Sequence, residues 1–180
     1  WGDSNYGLGR SGITHVYPGN AKFVKNLLNF TPTGTRAAAK KVVSLLDRPI
    51  YPSISTAWSE LATVVRGEGH SMVEVSAHSA LVPVPSDVKL IFLVAPGITF
   101  STAEINALKT FSSEGGRIVF VGENGSTYSY QSSVENPFLA AMGSAVRTNA
   151  MCDAPGVIVA TAAHALTAGI DASGPTVFYM

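Results

Sequence analysis

Residues 88–121 read VKLIFLVA, PGITF, STAEINALKTFSSEGG, RIVFV. The first eight, 88–95, are apolar except for Lys89 and are partly β-branched, and they stop at Pro96-Gly97. A short run without polar alternation predicts a strand buried on both faces, as in a parallel sheet. Ser101-Thr102-Ala103-Glu104 follows as a capping box, in which the Ser101 hydroxyl accepts from a first-turn amide and Glu104 reaches back. Ile105, Leu108 and Phe111 then recur at helical spacing, and Gly115-Gly116 closes the helix. Residues 117–121 (RIVFV) give a second buried strand, ending in Gly122-Glu123-Asn124-Gly125. Strand, capped helix and strand within about 35 residues form a βαβ unit with a right-handed crossover.

Working outward, residues 49–53 read as a short strand. Trp58, Leu61, Ala62 and Val65 share one helical face that ends at Gly67 and Gly69, and residues 72–76 (MVEVS) alternate as a strand does. Between Asn20 and Phe30, Phe23, Val24, Leu27 and Leu28 share a face, with Asn20 as the N-cap. Residues 36–46 are expected to form another helix. Residues 128–133 read as a loop, and 136–142 as a short helix with Pro137 at its first position. Residues 156–161 and 176–179 read as strands, with a turn or short helix over 164–170 between them.

The chain of 180 residues suits one domain with a single core, so residues 1–180 are taken as one unit. Charged residues make up 13% of it, about half the usual share, and twelve basic residues balance twelve acidic ones. The longest cationic run is Lys40-Lys41, which argues against nucleic acid as a partner. No apolar run approaches the ~20 residues needed to span a bilayer. The single Cys152 excludes an internal disulfide and any cysteine-based metal cluster. His15, His70, His78 and His164 show no metal-binding spacing, so neither a metal nor a cofactor is expected. The chain opens on Trp1, which leads to the expectation that an upstream piece was removed by processing or by design.

Several of these pieces match a known pattern. Phe100-Ser101-Thr102-Ala103-Glu104-Ile105, continuing through Leu108 and Phe111 to Gly115-Gly116-Arg117-Ile118-Val119, resembles a segment of class I glutamine amidotransferase-like domains of the non-catalytic type. These occur in bacterial surface proteins, in auxiliary subunits of gliding-type transporters and in an intraflagellar-transport subunit. His164-Ala165-Leu166-Thr167-Ala168-Gly169-Ile170 is similar to their histidine-proline-leucine-threonine turn, with Ala165 where proline is usual. Gly2-Asp3-Ser4, then Gly19-Asn20, Phe23, Asn26, Leu27 and Leu28, resembles their closing strand and helix. The resemblance implies an α/β fold, a mostly parallel, flavodoxin-like three-layer sandwich of five or six strands. In the family the closing segment comes last, whereas here it comes first. Residues 1–46 are therefore read as a permuted closing strand and helices, as part of a fragment of a longer repeat protein, or as a segment exchanged with a neighbour.

In active amidotransferases the strand corresponding to 117–121 ends in a turn that presents a cysteine. Here Gly122-Glu123-Asn124-Gly125 carries no nucleophile at its apex, and no catalytic residue is assigned. Ligands of open α/β sheets bind beyond the carboxyl ends of the strands. If Gly2-Asp3-Ser4 and Gly122-Glu123-Asn124 both close strands, Asp3 and Glu123 share that rim with Ser4, Asn5, Asn124 and Ser126 as neighbours. That set suits a hard cation, a sugar or a polar peptide. The alternative is that these acids cap adjacent loops. Tyr6, Tyr17, Tyr128 and Tyr130 lie in expected loops and suit a protein contact surface, or ordinary packing on the sheet. The resulting expectation is a non-catalytic binding or assembly module of a secreted or surface protein, one unit of a larger protein or filament. Its expected partners are other protein subunits or further copies of itself. The competing expectation is a hydrolase or amidotransferase-like enzyme using Cys152 or a serine with His164.

Overall fold

The computed structural model describes residues 18–30, 34–48, 53–56, 58–122, 130–148 and 164–169. Its centre is the strand read first from the sequence. Among the described residues there are four strands, β1 (Lys41–Leu45), β2 (Ser71–Val75), β3 (Val88–Val94) and β4 (Arg117–Val121). All pair in parallel, in the order β2-β1-β3-β4. Every residue of β3 is buried, because it has a strand on each edge and helices over both faces. The helices are α1 (Pro18–Asn29), α2 (Ser59–Gly67), α3 (Thr102–Ser113) and α4 (Asn136–Ala141).

The side chains of β3 divide between two cores. Leu90, Phe92 and Val94 join Val24, Leu27 and Leu28 of α1 and Leu61, Ala62 and Val65 of α2 on one face. Ile91 and Leu93 join Ile105, Leu108 and Phe111 of α3 and Phe138 and Leu139 of α4 on the other. Trp58 meets Phe92 edge-on in the first core, with ring centroids 5.7 Å apart. The result is a three-layer, flavodoxin-like α/β sandwich. The chain runs from β1 outward to β2, then crosses back past β1 to β3 and β4, so strand order reverses between β1 and β3.

The capping box is present as the sequence indicates. The Ser101 side chain accepts from the Glu104 amide at 3.3 Å, and Glu104 accepts from the Ser101 amide at 2.7 Å. Gly115 ends the helix with φ +92°. There Gly34 approaches so closely that an added Cβ would collide with the Glu114 carbonyl.

Three expectations need correction. Residues 36–46 form no helix, but a turn followed by β1. The RAAAK stretch favours a helix locally. The KVVSL run, however, buries residues 42–45 on both faces, which a helix with one apolar stripe does not do. Arg36 holds the preceding turn from a buried position: it donates to the carbonyls of Val84, Pro85 and Val88, pairs with Glu114 and lies 4.8 Å above the Phe111 ring. Asn20 stands inside α1 and is not its N-cap, since the helix starts at Pro18. Within the expected loop 128–133, the described part begins a π-turn, Gln131–Glu135, that leads into α4. Residues 49–52 and the strands expected at 156–161 and 176–179 lie outside the described residues, as does the closing segment at residues 1–17.

Two glycines should respond in opposite directions. Gly34→Ala must displace backbone and is expected to cost about 1–3 kcal/mol. A Cβ at Gly67 meets open space at the end of α2, and Gly67→Ala should gain about 0.4–1 kcal/mol. Urea denaturation of both variants checks this.

Candidate functional site: the crevice between β1 and β3

Parallel strands aim their carboxyl ends at one edge of the sheet, and the reversal between β1 and β3 opens a crevice there. Asp47, two residues beyond β1, occupies it. Its side chain is fully buried. It accepts from the backbone amide of Gly97 at 3.1 Å and from that of Ile98 at 3.0 Å, both in the loop after β3. His78 Nε2 makes a further bond to it at 3.0 Å. An ionised carboxylate only accepts, so it fixes the imidazole proton on Nε2.

His78 opens a 3-10 turn, His78–Leu81, and is buried. Its Nδ1 lies 3.7 Å from Glu104 Oε2, which is beyond hydrogen-bond range. Phe100 packs on the imidazole with centroids 4.2 Å apart, and Phe138 and Phe120 continue the aromatic row. For Glu104, burial alone would raise the carboxyl pKa. Hydrogen bonds from the Ser101 amide and hydroxyl, with His78 alongside, outweigh it and hold the pKa below the ordinary glutamate value.

Arg48 covers the crevice from outside. Its stem packs against Gly97, where a Cβ would collide with it, and its guanidinium lies 4.4 Å over the Tyr130 ring. Tyr130 and Ile98 are partly exposed beside it. Glu135, buried at the end of the π-turn, brings a carboxylate oxygen to within 3.5 Å of where a Cβ on Gly122 would lie. At the end of β3, Ala95 takes φ +40°, the one positive φ among the described non-glycine residues. A strained strand-end position of this kind presents the nucleophile in many hydrolases. Here it presents a methyl group.

In an acid–histidine–nucleophile relay, the second imidazole nitrogen faces a hydroxyl or thiol. The second nitrogen of His78 faces another carboxylate. Among the described residues, no group of three His, Cys, Asp or Glu is arranged to hold a metal ion. What the cluster can do is clamp four segments together: the end of β1, the loop after β3, the 3-10 turn and the start of α3.

The rim residues expected from sequence, Asp3, Ser4, Asn5, Glu123, Asn124 and Ser126, lie outside the described residues, as does Cys152. Gly122 is described, and it lies at the carboxyl end of β4, on the same edge as Asp47. His164 lies elsewhere. Its ring is 5.6 Å from that of Phe30, whose carbonyl accepts from Arg117 at the opposite, amino-terminal edge of the sheet. Sequence reasoning missed Asp47 because residues 36–46 were read as a helix; read as a strand, they leave Asp47 as an obvious strand-end acid. Compared with known proteins, the chain matches no family model, no curated protein and no solved structure.

Asp47→Ala leaves two backbone amides and a buried imidazole without their acceptor, and should cost about 3–5 kcal/mol in urea denaturation. Glu104 has a separate signature. Its lowered pKa contributes stability above the unfolded-state value, and this is lost as pH falls through the folded value. Glu104→Gln should therefore flatten the acid limb of a stability–pH profile in that window, leaving its slope near neutrality unchanged.

Proposed function

We propose that this chain is a non-catalytic binding or assembly module of an extracytoplasmic or surface protein, using an amidotransferase-like α/β scaffold. The observation that carries the reading is Asp47. The Gly97 and Ile98 amides at the reversal of strand order are donors that ligand-binding α/β proteins offer to a substrate or cofactor, and here they are occupied by the chain's own carboxylate. Ala95 supports the same reading, because the strained strand-end position carries no reactive atom. The low charge content of the chain supports placement outside the cytoplasm.

In this reading the rim is a clamp that holds the sheet ends in register, and contact with other subunits falls to the surface around it. Tyr130, Arg48 and Ile98 give that surface an aromatic ring, a stacked guanidinium and an exposed aliphatic group, residue types that recur at protein contacts. No described helix is long and apolar enough to cross a membrane.

Labelling with a fluorophosphonate and with a thiol-directed probe tests the proposal. The folded chain should react no faster than the denatured chain at any serine or at Cys152. Rapid labelling of one residue in the folded state, abolished by His164→Ala, would instead establish the enzyme reading.

A further inference from the structure

The opposite edge of the sheet holds a buried imidazole. His70 joins α2 to β2 and is 5% exposed. Its backbone is fixed on both sides. The His70 amide donates to the Val65 carbonyl at 3.2 Å, and the next amide, that of Ser71, donates to the Lys40 carbonyl at 2.9 Å. Ser71 and Lys41 are the first paired residues of β2 and β1, so His70 and Lys40 stand side by side just before the ladder starts. On the other side of β1, Lys41 pairs with Val88 and Val42 with Leu90, which makes Lys89 the extra residue of a bulge in β3.

Two features of the site oppose a second proton on this ring. The first is that Nδ1 is buried without a hydrogen-bond partner. A neutral imidazole keeps one nitrogen as a bare lone pair, whereas the imidazolium has a donor on both, and a buried donor without an acceptor is costly. The second is the charge around it. Lys40, just before β1, and Lys89 of β3 act on the ring as cations, and the acid beside it, Glu68 at the end of α2, is paired with Lys25 of α1 at 2.9 Å. Burial, then Lys40 and Lys89, hold the His70 pKa below the ordinary histidine value, while the Lys40 backbone and Glu68 oppose them.

We propose that His70 is an acid-operated latch: its neutral ring holds the amino end of β2 against β1, and uptake of a second proton releases it. β2 is the outer strand in the order β2-β1-β3-β4, so its first residues can leave while β1 stays paired with β3. Release uncovers Met72, the next residue but one, which is 5% exposed in the core with α2. In the released segment the ring takes up its proton at the ordinary value of 6.5, more readily than in the closed one. Closure is therefore fully favoured above that value, and the advantage is lost as pH drops from there through the lower value of the closed form.

Hydrogen exchange at the His70 and Ser71 amides, corrected for the intrinsic pH dependence of exchange, tests this together with NMR titration of the ring. As pH is lowered below the ordinary histidine range, protection of both amides should fall, by up to about tenfold per pH unit for one proton, while the amides of β3 keep theirs. The ring itself should titrate below the ordinary range. His70→Gln should remove the pH dependence of Ser71 protection. Lys40→Met, at an exposed position that leaves the backbone bond in place, takes away one of the two cations and should shrink the loss even if the first variant folds poorly. Equal loss of protection in β2 and β3 would overturn the proposal, because it reports global unfolding. A ring that titrates at or above the ordinary value would do the same, as would a loss unchanged in either variant.

Discussion

All seven residues of strand β3 are buried, and that constraint organises the fold. A strand without an exposed edge or face needs a partner on each side and a helical layer above and below. β1 and β4 supply the edges, α1 and α2 one layer, and α3 and α4 the other. The reversal of strand order follows, because β1 and β2 lie on one side of β3 while the chain continues to β4 on the other. The two ends of the sheet then differ in kind. At the carboxyl end a buried acid closes the crevice. At the amino end, His70, Lys40, Lys89 and Arg117 lie at or next to the first residues of the four strands.

The clamp at the carboxyl end joins elements far apart in sequence through a single side chain. Asp47 follows β1 yet holds the loop after β3 and the 3-10 turn that starts the return from β2. Glu104, already committed to capping α3, faces the same imidazole. The capping box is therefore local chemistry that also contributes to the long-range arrangement. A crevice filled in this way is a joint between layers, and the functional reading of the chain as a scaffold rests on that.

The central βαβ unit was fully legible, since its apolar runs, capping box and glycine stop all agree with one another. β1 was not legible as a strand. Its five residues follow a stretch of good helix formers, and only the demand of a central sheet position overrides that preference. The error hid Asp47, because an acid just past the end of an expected helix is not read as a strand-end residue on the rim of the sheet. His78 was hidden differently: neither its spacing nor its neighbours in sequence announce that Asp47, Glu104 and Phe100 converge on it. The expected rim residues Asp3 and Glu123 belong to segments outside the described structure; Gly122, which precedes Glu123, lies at the carboxyl end of β4.

Hydrogen exchange at the Gly97 and Ile98 amides tests the central claim most directly. Ile98 is 53% exposed and sits in a surface loop, where an amide ordinarily exchanges quickly. If Asp47 fills the crevice, both amides are held by a buried carboxylate and should show protection comparable to that of β3. Exchange at the rate of an open loop would mean that the crevice is vacant and its donors are free for a ligand.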